Sequence, residues 1–173
     1  MNQSLAAGAA AAATSLNNKE NRKSSDTPEN FVLEEFFSGN TVAHAKFAAI
    51  NGVVRKFRID ITGTWEENAL KLHEKFEFDD GETDTKNWIF RKVANGKYIA
   101  NREDMLKPVE ATLRNRTLKY TYLIYLDSAN QSNVVRFMDR ITMVDNRTLK
   151  NTAIIFKFGI PVGLVTGIFR KQD

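Results

Sequence analysis

The sequence predicts an all-β fold: an antiparallel meander of about 9–10 strands, closed or nearly closed into a barrel, behind a disordered N-terminal tail. Three observations carry it. Apolar and polar residues alternate with period two across nearly all of the chain after Phe31. Turn-forming pairs interrupt that alternation at short intervals. Residues 1–30 differ in composition from everything that follows.

Met1–Ala13 is mostly alanine, and Thr14–Asn30 is rich in Asn, Ser, Lys and Glu with almost nothing apolar. Such a segment buries too little surface to offset the entropy of ordering it. The expected organisation is therefore a disordered tail over 1–30 and a single barrel-like domain over 31–173. The alanine stretch has the look of an export signal, but no Lys or Arg precedes Lys19, and alanine replaces the usual leucine-rich core. A cytoplasmic location is expected, with export by an atypical Ala-rich signal as the alternative.

Each strand is read from its phase. Val53–Trp65 places Val53, Phe57, Ile59, Ile61 and Trp65 on one face, with Lys56, Arg58 and Asp60 on the other. Leu70–Phe78 sets Leu70, Leu72, Phe76 and Phe78 against Lys71, His73, Lys75 and Glu77. Thr117–Leu126 groups Leu118, Tyr120, Tyr122, Ile124 and Leu126. Val135, Phe137, Ile141 and Met143 form the next face, and Ile154, Phe156 and Phe158 another. Strict alternation marks half-buried antiparallel strands. Turn signals fall between them at Asn51-Gly52, Glu67-Asn68, Asp79-Asp80-Gly81, Asn95-Gly96, Asn115-Arg116, Asp127 to Asn133 and Asp145-Asn146. The word Asn-Arg-Thr-Leu-Lys occurs at both 115–119 and 146–150, which reads as repeated turn-to-strand chemistry and not as duplicated domains. A two-layer sandwich is the alternative architecture.

Composition narrows the function. The chain has 173 residues and no cysteine, which excludes disulfides, thiolate metal sites, a cysteine nucleophile and a cysteine-linked lipid. Two histidines, His44 and His73, leave little for a metal site, and no metal or cofactor is expected. No apolar run is long enough for a transmembrane helix. The net charge of +4 is uneven, because residues 106–173 carry eleven basic and five acidic groups. The basic residues sit at alternate strand positions with few exposed aromatics between them, so nucleic-acid binding is not expected.

Three ionisable residues break the apolar phase. Arg55 lies between Val53 and Phe57, Glu74 between Leu72 and Phe76, and Asp139 between Phe137 and Ile141. Buried charges pair, change protonation state or face an internal cavity. One account is a structural network in which Arg55 neutralises the carboxylates. Another is a ligand cavity in which these groups, with Tyr120 or Tyr122, orient the polar end of an apolar guest. A third is acid–base chemistry by Glu74 and Asp139. Trp65 and Trp88 complete the candidate lining, and Gly63-Thr64-Trp65 resembles the Gly-x-Trp of lipocalins.

Four ordered motifs stand out: Phe36-Phe37-Ser38-Gly39; Leu70 to Glu82 with Trp88; Arg136 to Asp139 with Asp145 to Leu149; and Lys157 to Gly163 with Phe169-Arg170-Lys171. Together they resemble the bacterial family called domain of unknown function 3833. The resemblance covers about residues 33–171 and implies one β-rich domain without an assigned activity. It places Glu74 and Asp139 inside family motifs, whereas Arg140 stands where the family has tryptophan. The expected function is non-enzymatic binding of a small amphipathic ligand, a fatty acid or lipid fragment, in the barrel interior. The alternatives are an enzyme using Glu74 and Asp139, and a structural or interaction module with a packed core.

Overall fold

A computed structural model describes residues 30–126 and 133–173. Of the tail expected over residues 1–30 and the turn expected from Asp127 to Asn133, residues 1–29 and 127–132 lie outside the described residues.

Ten antiparallel strands form one closed barrel. They are β1 (Gly39–Ala49), β2 (Val54–Glu66), β3 (Ala69–Phe78), β4 (Thr83–Ala94), β5 (Lys97–Arg102), β6 (Val109–Arg114), β7 (Thr117–Tyr125), β8 (Val134–Asp145), β9 (Thr148–Lys157) and β10 (Ile160–Lys171). Each strand pairs with its neighbours in sequence, and β1 pairs with β10 from Thr41↔Lys171 to Ala49↔Gly163. Closure leaves no unpaired edge, which removes the main aggregation hazard of a sheet. The predicted meander is thus a barrel and not a sandwich.

The turns divide between the two ends. At one end Glu67-Asn68 and Asn115-Arg116 both have positive φ (51° and 59°, 47° and 62°), as two-residue hairpins with the sheet's own twist require. The second copy of Asn-Arg-Thr-Leu-Lys turns differently. Asn146-Arg147 avoids positive φ, Arg147 N–H donates to Asp145 Oδ1 at 2.9 Å, and the β8–β9 register shifts between Met143 and Asp145. The same five residues therefore close two hairpins of different register, because the strand entering the second one carries a bulge.

The same end is plugged by an element that the alternation did not predict. A one-turn helix, α1 (Leu33–Phe37), buries Leu33, Phe36 and Phe37, whose i, i+3, i+4 spacing puts them on one face. Glu34 anchors it: the Lys92 ammonium and the Tyr98 hydroxyl both donate to its carboxylate, the latter at 2.6 Å. Burial raises the Glu34 pKa, and the two donors outweigh burial, so the group titrates below its ordinary value. Gly63 on β2 makes room, since a Cβ there would lie 1.9 Å from the Phe37 carbonyl oxygen. Phe37 also meets Phe169 edge-on at 6.1 Å. The barrel is therefore closed at the α1 end.

Candidate functional site

Inside the barrel is a cavity of ≈ 340 Å³, lined from every strand but β6 and floored by Leu33 and Phe37. Its wall is aromatic. Trp88 meets Tyr120 and Tyr122 edge-on at 5.7 and 5.2 Å, and Tyr120, Tyr122 and Phe137 stack in series at 5.4 Å spacings. The register explains the cluster. Tyr120 and Tyr122 point inward two residues apart on β7, and Tyr122 lies directly opposite Phe137 on β8.

A polar group sits in this wall. Asp139 is opposite Tyr120 across the β7–β8 ladder and accepts a hydrogen bond from the Asn151 amide at 2.8 Å. Glu74 projects from β3 and is buried. Desolvation raises its pKa to about 7; Arg102 and the Trp88 N–H pull it back, and Asp139 adds to the rise. Desolvation also raises Asp139, against hydrogen bonds from Asn151 and Tyr122. Glu74 and Asp139 thus share one field. Beyond the Trp88 N–H, Glu74 has no hydrogen-bond partner among the described residues, and the Tyr120 hydroxyl has none there. Both groups therefore present free hydrogen-bonding capacity to the cavity.

The most buried cation of the lining is Arg102, which the strand phases above did not single out. It is the last residue of β5, in phase with inward Tyr98 and Ala100, and directly opposite Trp88 on β4. Its guanidinium lies 4.8 Å from the Trp88 ring centre and 5.7 Å from that of Tyr122. Asp104 holds it bidentately at 2.6 and 2.9 Å. The alternation Tyr98-Ala100-Arg102 was the available signal, but it spans only three inward positions.

Arg55 lines the cavity from its mouth, not its centre. Its side chain is 31% exposed, binds Asp80 and Glu82 at 2.7 Å each, and lies 4.1 Å over the Phe78 ring. The expectation that it neutralises Glu74 and Asp139 is not met, because β2 reaches the open end at Val54 and an inward residue there meets the β3–β4 turn. Trp65 is half-buried against the core near the opposite end and is not part of the cavity lining. The structure thus brings together Glu74, Asp139, Tyr120, Tyr122 and Trp88, and sets Arg55 and Trp65 apart from them.

The profile of the family described as "Protein of unknown function (DUF3833)" matches residues 10–171. The chain belongs to that family. A comparison with curated proteins finds no match. Among solved structures, the barrel of this DUF3833 member is similar to an S-type phycobiliprotein lyase, CPES, from Guillardia theta. The TM-score is 0.61 at 14% identity, over 83% of this chain and 94% of that one. It is also similar to Rv2717c from M. tuberculosis, with a TM-score of 0.57 at 10% identity, over 79% of this chain and 93% of that one. At such identities the likeness is one of fold.

Proposed function

We propose that this protein binds one small amphipathic molecule inside the barrel, without chemical change. The observation that carries the reading is an apolar, aromatic cavity lined by a buried carboxyl, Glu74, whose described hydrogen-bond partner is the Trp88 N–H alone, and by the Tyr120 hydroxyl. Such sites combine an apolar wall with a few polar groups that fix orientation, and ≈ 340 Å³ lies at the lower end of the volumes that hold drug-sized ligands.

The polar group favours some headgroups over others. Arg102 is already engaged by Asp104, while Glu74 and Asp139 leave acidic capacity facing inward. A fatty-acid carboxylate would meet two raised carboxyls, while the lining cations Arg102, Lys86 and Arg55 are already paired with Asp104, Asp84 and the Asp80–Glu82 turn. A neutral alcohol, phenol or amide, or a cationic amine, would instead donate to Glu74. Within the class of lipid fragments, the uncharged and basic ones are therefore preferred.

The test is native mass spectrometry of the protein purified from its own host, followed by organic extraction. A co-purifying molecule of defined mass, neutral or basic, is expected, and Glu74→Gln should weaken its retention. An anionic lipid as the sole passenger would contradict the headgroup assignment.

A further inference from the structure

Two neighbouring hairpin tips at the open end of the barrel carry apolar side chains into solvent. The β1–β2 turn presents Ile50 (73% exposed) and Val53, and the β9–β10 turn presents Phe158 (89%) and Ile160 (60%). The Ile50 N–H donates to the Val162 carbonyl at 3.1 Å, which ties the two tips together. Phe158 is an unexpected residue for its place. Its φ is +51° and that of Gly159 is +79°, the two-residue turn that favours Asn, Asp or Gly. A bulky side chain in the left-handed region is disfavoured, and one exposed to this degree gains no core packing in return. Neither turn geometry nor the core accounts for a phenylalanine here.

Basic charge lies on the outside of the same strands. Lys46 and Lys56 are direct cross-strand partners, an arrangement that like charges oppose. Among the described residues, neither forms an ion pair. The shallow groove around them is completed by His44, Arg58 and Lys150, with Glu77 and Asp79 at its edge, and Arg58 is taken up by Asp60 at 2.7 Å. Lys157 flanks the second tip, its Nζ 5.8 Å from the Phe158 ring centre. The acidic tip, Asp79-Asp80-Gly81-Glu82, is on the other flank, with Asp80 and Glu82 held by Arg55.

We propose that this lip docks the barrel onto an anionic lipid bilayer. Ile50, Val53, Phe158 and Ile160 enter the interface, Lys46, Lys56 and Lys157 face the headgroups, and the cavity mouth opens beside them. Apolar tips backed by lysines are what a headgroup layer over hydrocarbon accepts. They offer few of the directional polar groups that a specific protein partner would engage. The inference rests on the outer surface alone, so it stands or falls independently of the cavity's ligand.

The experiment is flotation of the full chain with phosphatidylcholine vesicles, with and without phosphatidylglycerol. Binding is expected with the anionic vesicles, weakened about tenfold or more in Phe158→Asp. Lys46→Gln and Lys56→Gln should each weaken it about fivefold. Ile89→Ser, at an exposed apolar site on β4 away from the lip, should leave it unchanged. A Phe158→Trp variant checks insertion without relying on a loss, because its added emission should shift to the blue on contact with vesicles. Wild-type protein that stays with the soluble fraction overturns the proposal. So does full binding by a folded Phe158→Asp variant, and equal binding to both vesicle types overturns the role of the lysines.

Discussion

The guanidinium of Arg102 lies 4.8 Å from the ring centre of Trp88, its direct partner across the β4–β5 ladder. One charge thereby does three things. It covers an aromatic wall, closes a bidentate pair with Asp104, and lowers the Glu74 pKa against the larger effect of burial.

Removing that charge should be costly. Arg102→Met leaves Asp104 with Lys86 alone, at 3.6 Å, and removes the charge that lowers the Glu74 pKa; loss of one partner of a buried pair costs about 3 kcal/mol or more. The urea midpoint should fall accordingly. Arg55→Ala, at the solvated mouth, should leave it nearly unchanged. Equal effects from the two would mean that Arg102 is not the interior counter-charge.

Glu74 should impose a pH dependence of definite sign. Its folded pKa, about 7, is above the ordinary 4.5, so between these values the folded state holds a proton that the unfolded state has released. Stability from this group is full below about pH 4.5, falls as pH rises to about 7, and is constant above, a total of about 3 kcal/mol. Asp139, also raised, acts in the same direction. Glu74→Gln should remove most of the slope and be the more stable protein at pH 8. Parallel urea curves for the two proteins between pH 5 and 8 would contradict this.

The α1 plug makes two separable demands. Tyr98→Phe removes one donor to the buried Glu34 carboxylate and should cost about 1–3 kcal/mol. Gly63→Ala puts a methyl group into the Phe37 carbonyl and should cost about 1–3 kcal/mol through displacement of the helix. Hydrogen exchange resolves the local effect: the Phe36 and Ser38 amides, bonded to Val32 and Glu34, should lose protection in both variants.

Much of the barrel was legible because strand phase is local information. Inward Glu74, Tyr120, Tyr122 and Asp139 all follow from counting by twos along strands of nine or more residues. Arg55 shows the limit of that rule, since its phase was right but its strand had reached the rim, where an inward residue meets solvent and an acidic turn. Trp65 lies near the other end of the same strand and packs beside the core, away from the cavity. Arg102 escaped notice because β5 is six residues long, too short for its three inward positions to stand out. The α1 helix could not be read from alternation, because one turn of helix is held by tertiary contacts through Glu34 and not by its own propensity.

Whether the barrel interior is a binding site for a small uncharged molecule is tested most directly by a fluorescence titration with Nile red, a flat neutral probe. Wild-type protein should bind one equivalent, with quenching of Trp88 in the cavity wall, and should prefer Nile red to the anionic probe anilinonaphthalene sulfonate. Ala153→Phe, which fills the cavity from β9, should lose the binding while keeping the β-sheet circular dichroism of the parent. Undiminished binding by the folded Ala153→Phe variant, or no binding by the wild type, would contradict the account.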